Sequence, residues 1–155
     1  TNFMSLLSIL PVMPLYYGGK TKFTPIHVSD FTDIVFQIVQ KKIYAETIEC
    51  IGPEVISFKE IILKILKSIK KKRLLLSMPL SLAKVNARLF QLMPKPLLTI
   101  DQLKLLKYDN IVSKKYKTNF HLNMNANKKF DEEINRYSYN WTSGGQFSKK
   151  IDKIK

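Results

Sequence analysis

The stretch Phe23 to Asp30, with the sequence Phe-Thr-Pro-Ile-His-Val-Ser-Asp, decides the fold of this chain. Side chains alternate along a strand, so the stretch predicts a buried strand with Ile26 and Val28 on one face and His27 on the other. Ser29 or Asp30 can cap a following helix by accepting hydrogen bonds from its free backbone N–H groups. A strand that leads directly into a helix needs a sheet to pack on, and this requirement predicts an α/β fold.

Two amphipathic helices are predicted from apolar residues at helical spacing. The first begins after Asp30, and its buried face is expected to contain Phe31, Ile34, Val35, Ile38 and Val39. The second begins with a capping box, because the side chains of Ser57 and Glu60 can each satisfy a free backbone donor. Its stripe consists of Phe58, Ile61, Ile62, Ile65, Leu66 and Ile69. Both helices need a sheet to bury these faces.

Shorter elements complete the expected order. Strands are predicted at Thr47–Ile51 and Leu74–Leu76, where β-branched and aliphatic residues form short runs. Weaker patterns predict helices over Pro79–Met93, Leu103–Tyr108 and Phe130–Tyr137. Residues 113–129 are rich in Lys and Asn and weakly apolar, so they predict a surface loop.

The net charge limits the classes of partner. Twenty-six Lys and Arg residues against twelve Asp and Glu residues give a formal charge of +14. This balance predicts an anionic partner (nucleic acid, an anionic membrane surface or an acidic protein), or it reflects the residue usage of an AT-rich genome. The run Lys67–Arg73 has no interleaved aromatic residues, so the first interpretation is the solvated end of a helix. As a functional patch, it would contact anionic lipid in preference to nucleic acid.

Few residues indicate chemistry by pattern alone. His27 is expected to bond to a neighbour on its strand face, since the other histidine, His121, lies far along the chain. Asp30 is a helix cap more readily than a general base. Cys50 is the single cysteine, which excludes an intramolecular disulfide and a cysteine-built zinc site. Its position in a strand favours a core side chain over a nucleophile. We therefore assign no catalytic residue and no metal ligand.

The nucleotide-binding fingerprints are absent from the sequence. Neither G-x-x-x-x-G-K nor G-x-G-x-x-G occurs, and Gly18-Gly19 is too short to hold a phosphate by itself. Tyr16 is followed four residues later by Lys20, but the two glycines between them would break the helix that a Tyr-x-x-x-Lys pair needs.

Several motifs taken together resemble a known family. Lys22-Phe23-Thr24-Pro25-Ile26-His27-Val28-Ser29-Asp30 is similar to the late strand-to-helix step of extended and atypical short-chain dehydrogenases, the NAD-dependent epimerase/dehydratase family. Ile51–Glu60 is similar to the Gly-Gly-Pro-Glu turn and capped helix of the same family. Leu92–Pro96 and Leu106–Ser113 look like bacterial homologues of the short-chain-dehydrogenase-like accessory subunit of respiratory complex I. The resemblance covers about residues 10–115.

This resemblance implies an NAD(P)-binding Rossmann-like fold, of which the chain supplies the last strands and a mostly helical substrate-side lobe. The glycine-rich loop and the Tyr-x-x-x-Lys region would precede Thr1, so we expect NAD(P)(H) in the full-length protein and not on this fragment alone. Thr24 and His27 are expected to line the substrate side. Residues 1–112 would form the incomplete Rossmann-like domain, and residues 113–155 a Lys/Asn-rich loop, a short helix and a basic tail.

Two functions from different classes follow from the resemblance. The first is a non-catalytic accessory or assembly factor related to NADH:ubiquinone oxidoreductase (complex I), with a respiratory-chain partner and an anionic membrane surface nearby. The second is an active NAD(P)-dependent epimerase, dehydratase or reductase acting on a nucleotide sugar or a lipid-like substrate. A nucleic-acid-binding module is disfavoured, because the sequence contains no known reading element. The expected location is the cytoplasm, peripherally at the inner membrane, or the matrix side in a mitochondrion.

Overall fold

A computed structural model describes residues 4, 7–8, 10–79, 82, 100–142 and 145–146, and it confirms the predicted α/β class. Four helices lie wholly within the described residues: α1 (Val28–Gln40), α2 (Phe58–Ser68), α3 (Ile100–Leu105) and α4 (Phe130–Ser138). The strands are β1 (Val12–Tyr16), β2 (Lys22–Phe23), β3 (Ile48–Glu49), β4 (Ile56–Ser57), β5 (Leu74–Met78) and β6 (Lys117–Thr118). Most of the predicted helix Pro79–Met93 lies outside the described residues.

The longest strands, β1 and β5, pair in parallel, from Val12 opposite Leu74 to Tyr16 opposite Met78. Helix α2 lies between them in the chain and packs on one face of the pair. The core formed there buries Leu7, Met13, Leu15, Ile62, Ile65, Leu66 and Ile69. Parallel strands require such a crossover connection, and here α2 supplies it. The prediction of a strand at Leu74–Leu76 is confirmed, and the strand continues to Met78.

The opposite face of the β1–β5 pair is covered at one end, where Tyr16 and Met78 pack against Leu103 of α3. The other end of this face is open, because Val12, Leu74 and Leu76 are exposed there and Leu74 is 59% exposed. Pro14 has no N–H to donate, but the ladder does not need one, since Leu74 N–H donates to Pro11 O at 3.2 Å and the donors alternate along β1. The pair therefore has an apolar outer face. The edge of β1 that does not pair with β5 lacks one N–H donor, the one that Pro14 cannot supply.

The decisive stretch folds differently from the expected strand. Only Lys22–Phe23 is a strand, antiparallel to β4, and the backbone from Thr24 to His27 joins no ladder beyond contacts with Asn110 and Gly52. Pro25 interrupts the donors that a longer strand would need. Helix α1 begins at Val28, and His27 caps it, because its Nδ1 accepts the Ser29 N–H at 3.3 Å. The prediction that Ser29 or Asp30 is the cap was wrong.

Helix α1 buries a narrower face than its sequence predicts. Ile34 is fully buried and Ile38 is half-buried, against Met124 and Ala126. The other members of the predicted stripe are exposed, and Val39 reaches 67% exposure. Phe31 and Val35 share that exposed side. The expected buried face of α1 is therefore only partly confirmed.

Helix α2 follows its prediction closely. Ser57 Oγ accepts the Glu60 N–H at 3.2 Å, and Glu60 Oε2 accepts the Ser57 N–H at 2.7 Å, so both halves of the capping box form. The hydrogen bonds from the Ser57 backbone and hydroxyl lower the pKa of Glu60. The basic run after the helix also has a structural role, since Arg73 donates to the carbonyls of Leu7 and Ser8 at 3.1 and 2.5 Å.

The capping box gives a testable pH dependence. Because the pKa of Glu60 is lower in the folded chain, its contribution to stability is present above the ordinary glutamate range and is lost as pH falls through the folded-state pKa. A carboxyl NMR titration should therefore place the Glu60 midpoint below 4.5. Glu60→Gln keeps an acceptor for Ser57 and should remove this component of acid sensitivity. A Glu60 midpoint at or above 4.5 would contradict the prediction.

The segment 113–129 is more than the surface loop that its composition predicts. Residues 113–117 are exposed or half-buried, but β6 then pairs in parallel with β3, and Asn119 is fully buried. Asn119 Oδ1 accepts the Ile51 N–H, and its Nδ2 donates to Met124 O, each at 2.9 Å. The loop prediction holds for the exposed positions of this segment, and it missed the buried ones, Thr118, Asn119, Met124 and Ala126, which fix the segment to α1 and β3.

Candidate functional site

A cavity of about 230 Å3 lies between the start of α1 and helix α4. Its walls are mainly apolar, and His27, Tyr137 and Glu133 contribute the polar groups on one side. Helix α4 reaches this position because Lys64 of α2 pairs with Asp131 and Ser68 Oγ donates to Ser138 Oγ at 2.6 Å. The hydrogen bond to Asp131 also raises the pKa of Lys64, as expected for a favourable ion pair.

His27 is held at both ring nitrogens. Its Nδ1 accepts the Ser29 N–H and lies 2.8 Å from Ser29 Oγ, so in the neutral ring the proton is on Nε2. Nε2 lies 3.1 Å from the Tyr137 hydroxyl oxygen and 3.6 Å from Glu133 Oε2. In this tautomer His27 donates to Tyr137, and the Tyr137 hydroxyl proton can be donated to a molecule in the cavity.

The charged groups beside His27 serve mainly to join segments. Asp30 is buried, and its Oδ2 accepts the backbone N–H groups of Asn127 and Lys128, both at 2.9 Å. Lys128 donates to Ser29 Oγ and lies 3.7 Å from Asp30 Oδ1. Asp30 therefore fastens the first turn of α1 to the chain before α4, which explains its burial without a role as a base.

Glu133 is the most buried carboxylate that faces the cavity, at 8% exposure. Arg136, one turn along α4, lies 3.2 Å away and supplies its counter-charge. With His27, Tyr137 and Lys128, these groups form a polar rim on an apolar cavity. Such a rim can orient a small ligand by hydrogen bonds.

Thr24, predicted to line the same site, faces a different cavity. That cavity measures about 430 Å3 and is lined by Thr24, Cys50 and Asn110, among others. Thr24 Oγ1 donates to Asn110 O at 3.4 Å, and its backbone N–H donates to the same carbonyl. Burial raises the pKa of the Cys50 thiol, which disfavours the thiolate that a nucleophile requires. The structure thus brings His27 to one cavity and Thr24 to another.

The Gly18-Gly19 turn does not have the arrangement of a nucleotide phosphate site. Gly18 and Gly19 have φ of 66° and 68°, but they lead into β2 and not into a helix N-terminus. A Cβ on Gly19 would lie 2.9 Å from the Lys59 Cβ, so this glycine permits close packing on α2. Tyr16 is in β1 and is separated from Lys20 by this turn, which excludes a helical Tyr-x-x-x-Lys pair there. The described residues include no group of three His, Cys, Asp or Glu side chains placed for a metal ion.

Three residues of the site escaped the sequence reasoning: Lys128, Glu133 and Tyr137. The helix Phe130–Tyr137 was predicted, and α4 confirms it. Its spacing puts Phe130, Glu133, Ile134 and Tyr137 on one face, which was a usable signal. Nothing local, however, indicates that this face meets His27, which is 110 residues from Tyr137 in sequence.

Within the described ranges, no helix has both the length and the apolar character required to cross a bilayer. Comparison of the sequence with protein-family models and with curated proteins gives no match.

Proposed function

We propose that the chain is part of an NAD(P)-binding, short-chain-dehydrogenase-like α/β protein that serves as a non-catalytic accessory or assembly factor of NADH:ubiquinone oxidoreductase. The observation that carries the proposal is the parallel β1–β5 pair with α2 as its crossover helix. A parallel strand pair covered by a connecting helix is the basic unit of Rossmann-like sheets, and here the connection also contains β2, α1, β3 and β4. The motifs Lys22–Asp30 and Ile51–Glu60, on which the family resemblance rests, lie between these two strands.

The open face of the strand pair supports a larger sheet. Parallel sheets occur almost only where both faces are covered, because their strands are apolar on both sides. Here α2 covers one face, while Val12, Leu74 and Leu76 leave an apolar surface on the other. Additional Rossmann-like elements with their own helices would cover it, and they would also supply the phosphate-binding turn that Gly18-Gly19 does not form.

The proposed accessory role rests on the chemistry of the candidate site. His27 is occupied by helix capping and by Tyr137, and Asp30 by backbone N–H groups. Cys50 is half-buried, and its raised pKa disfavours the thiolate. None of these groups is poised for proton abstraction or nucleophilic attack. In this proposal the protein lies peripherally at the inner membrane, and the charge of +14 favours an anionic surface there.

An active NAD(P)-dependent epimerase, dehydratase or reductase is the second candidate. The observation in its favour is the His27 cavity, whose apolar walls and Tyr137 hydroxyl could hold a lipid-like or sugar substrate. In that case His27 would orient Tyr137 toward the substrate, and Tyr137→Phe would abolish turnover by the native protein without unfolding it. Under the accessory proposal the same substitution leaves assembly of the respiratory enzyme unchanged.

Two measurements test the proposal. The 155-residue chain should show no saturable binding of NADH or NADPH at micromolar concentrations by nucleotide fluorescence. A tagged copy in its own cells, solubilised in mild detergent, should migrate with the NADH:ubiquinone oxidoreductase assembly on native gels. Micromolar binding by the chain alone would refute its role as a partial nucleotide fold. Absence from the assembly, together with substrate-dependent NAD(P)H turnover, would establish the enzyme instead.

A further inference from the structure

A separate concave surface lies on the segment between α3 and α4. It has a volume of about 640 Å3, and we call it the lysine cup. Lys114, Lys115, Lys117 and His121 provide its polar groups, and Val112, Tyr116 and Leu122 provide its apolar ones. It shares none of its residues with the His27 cavity or with the Thr24 cavity. Three cationic side chains therefore converge on one depression.

The positive charge of the lysine cup is only partly neutralised. Lys117 lies 3.1 Å from Glu46, and both side chains are substantially exposed. In the part of the chain that the structure describes, neither Lys114 nor Lys115 forms an ion pair, and the Lys115 ammonium lies 5.4 Å from the Tyr116 ring centre. The cup thus carries three ammonium groups with two carboxylates nearby, Glu46 beside Lys117 and Glu49 beside the Ser113 N–H.

Backbone hydrogen bonds fix the turn that carries Lys114 and Lys115. Glu49 Oε2 accepts the Ser113 N–H at 3.0 Å, and Ser113 Oγ accepts the Lys115 N–H at 3.1 Å. Lys114, between them, has a left-handed φ of 62°. Glu49, the acidic residue of β3 nearest this turn, accepts a backbone N–H and forms no ion pair with Lys114 or Lys115 among the described residues.

His121 adds a donor of fixed direction. Its Nδ1 accepts the Thr118 N–H at 3.0 Å and lies 2.8 Å from Thr118 Oγ1. The neutral ring must therefore carry its proton on Nε2, which is the nitrogen turned away from the Thr118 backbone. The cup combines ammonium donors with an oriented imidazole N–H, a donor set suited to several oxygens of one anion.

We propose that the lysine cup binds the phosphate group of a phosphate monoester or diphosphate, with Lys114, Lys115, Lys117 and His121 as donors. The apolar side chains of Val112, Tyr116 and Leu122 contact the organic part of the same ligand. Phosphate fits better than a carboxylate, because it presents three or more acceptor oxygens to donors that approach from several sides. The site stands apart from the nucleotide-binding and accessory roles proposed above, and it can fail or succeed independently of them.

Inorganic pyrophosphate is the probe for the site, titrated into 15N-labelled chain at constant ionic strength. Amide shifts should concentrate in residues 112–122 and saturate. Lys114→Gln with Lys115→Gln should weaken the affinity about tenfold or more, because each lost charged hydrogen bond contributes more than a neutral one. Lys67→Gln with Lys72→Gln, an exposed pair beside the end of α2, gives the same net charge and should change the affinity less than twofold. Equal weakening in both double variants, or shifts spread over all lysines, would overturn the proposal.

The source of the phosphate is tested with vesicles. Flotation of the chain with phosphatidylcholine vesicles, with and without phosphatidic acid, compares a lipid headgroup with a free phosphate compound. The ligand is a lipid headgroup if the chain binds phosphatidic acid, the Lys114/Lys115 variant loses this binding, and the Lys67/Lys72 variant keeps it. Pyrophosphate binding without flotation identifies a free ligand. A chain that shows no saturable shift with pyrophosphate and no preference for phosphatidic acid has no phosphate site at the cup.

Discussion

Gly52→Ala is expected to destabilise the chain by about 3 kcal/mol or more, or to prevent folding altogether. A Cβ at position 52 would lie 1.7 Å from the Pro25 carbonyl oxygen and 2.6 Å from its carbon. Both atoms belong to the backbone, so no side-chain rotation can relieve the overlap. The segments around Pro25 and Gly52 would have to separate, and the hydrogen bond from Gly52 N–H to Thr24 O would be lost with them.

Gly18→Ala is the matched control for this experiment. Gly18 has a left-handed φ of 66°, but the nearest atom to its added Cβ is Ser77 Oγ at 3.8 Å. The expected cost is therefore conformational only, about 1 kcal/mol. Urea denaturation followed by circular dichroism measures both variants. Comparable losses at the two positions would show that the close approach of residues 25 and 52 does not exist in solution.

Asn119→Ala is expected to cost about 2–4 kcal/mol. The buried side chain joins two segments, since it accepts from Ile51 N–H and donates to Met124 O. Truncation leaves that donor and that acceptor without the side-chain partner, and Asn119 and Met124 are fully buried while Ile51 is half-buried. The cost is larger than that of an ordinary hydrogen bond, because the Met124 carbonyl remains desolvated without a partner from Asn119.

Asn125→Ala provides the comparison, because Asn125 is exposed and only six residues away. Its effect should stay within about 0.5 kcal/mol, as is usual for surface substitutions. Urea midpoints, with amide hydrogen exchange at Ile51 as a local probe, distinguish the two. Unchanged exchange protection at Ile51 in Asn119→Ala would argue that the amide is not the link between β3 and the segment before α4.

Local sequence signals predicted the elements whose stabilising partners are close in the chain. The α2 capping box is formed by Ser57 and Glu60 alone, and the buried face of α2 follows from regular helical spacing. Both features were therefore predicted completely from the sequence. Helix α4 was found for the same reason. The start of α1 was predicted about three residues too late, because a histidine can also accept the capping hydrogen bond and here His27 does.

Contacts between distant residues could not be predicted in this way. The partner of His27 is Tyr137, and the partner of the Ile51 N–H is Asn119, and neither pair has a local pattern that connects its members. The composition of residues 113–129 indicated a solvated loop, because a few buried residues such as Asn119 and Met124 hardly change the mean polarity of the segment. Helix α1 shows the opposite error. A regular apolar spacing predicts an apolar helix face, but it does not show how much of that face another segment will bury.

The β1–β5 pairing also has a kinetic consequence. Val12 and Leu74 are separated by 62 residues in the chain, yet they are neighbours in the only five-residue strand pair among the described elements. Loop-closure entropy opposes such a contact until the intervening chain is already compact. The α2 helix, with its own cap and period, can form early and present the surface on which the two strands meet. The parallel pair would then be the late step of folding, and the step at which an unprotected apolar strand is exposed for longest.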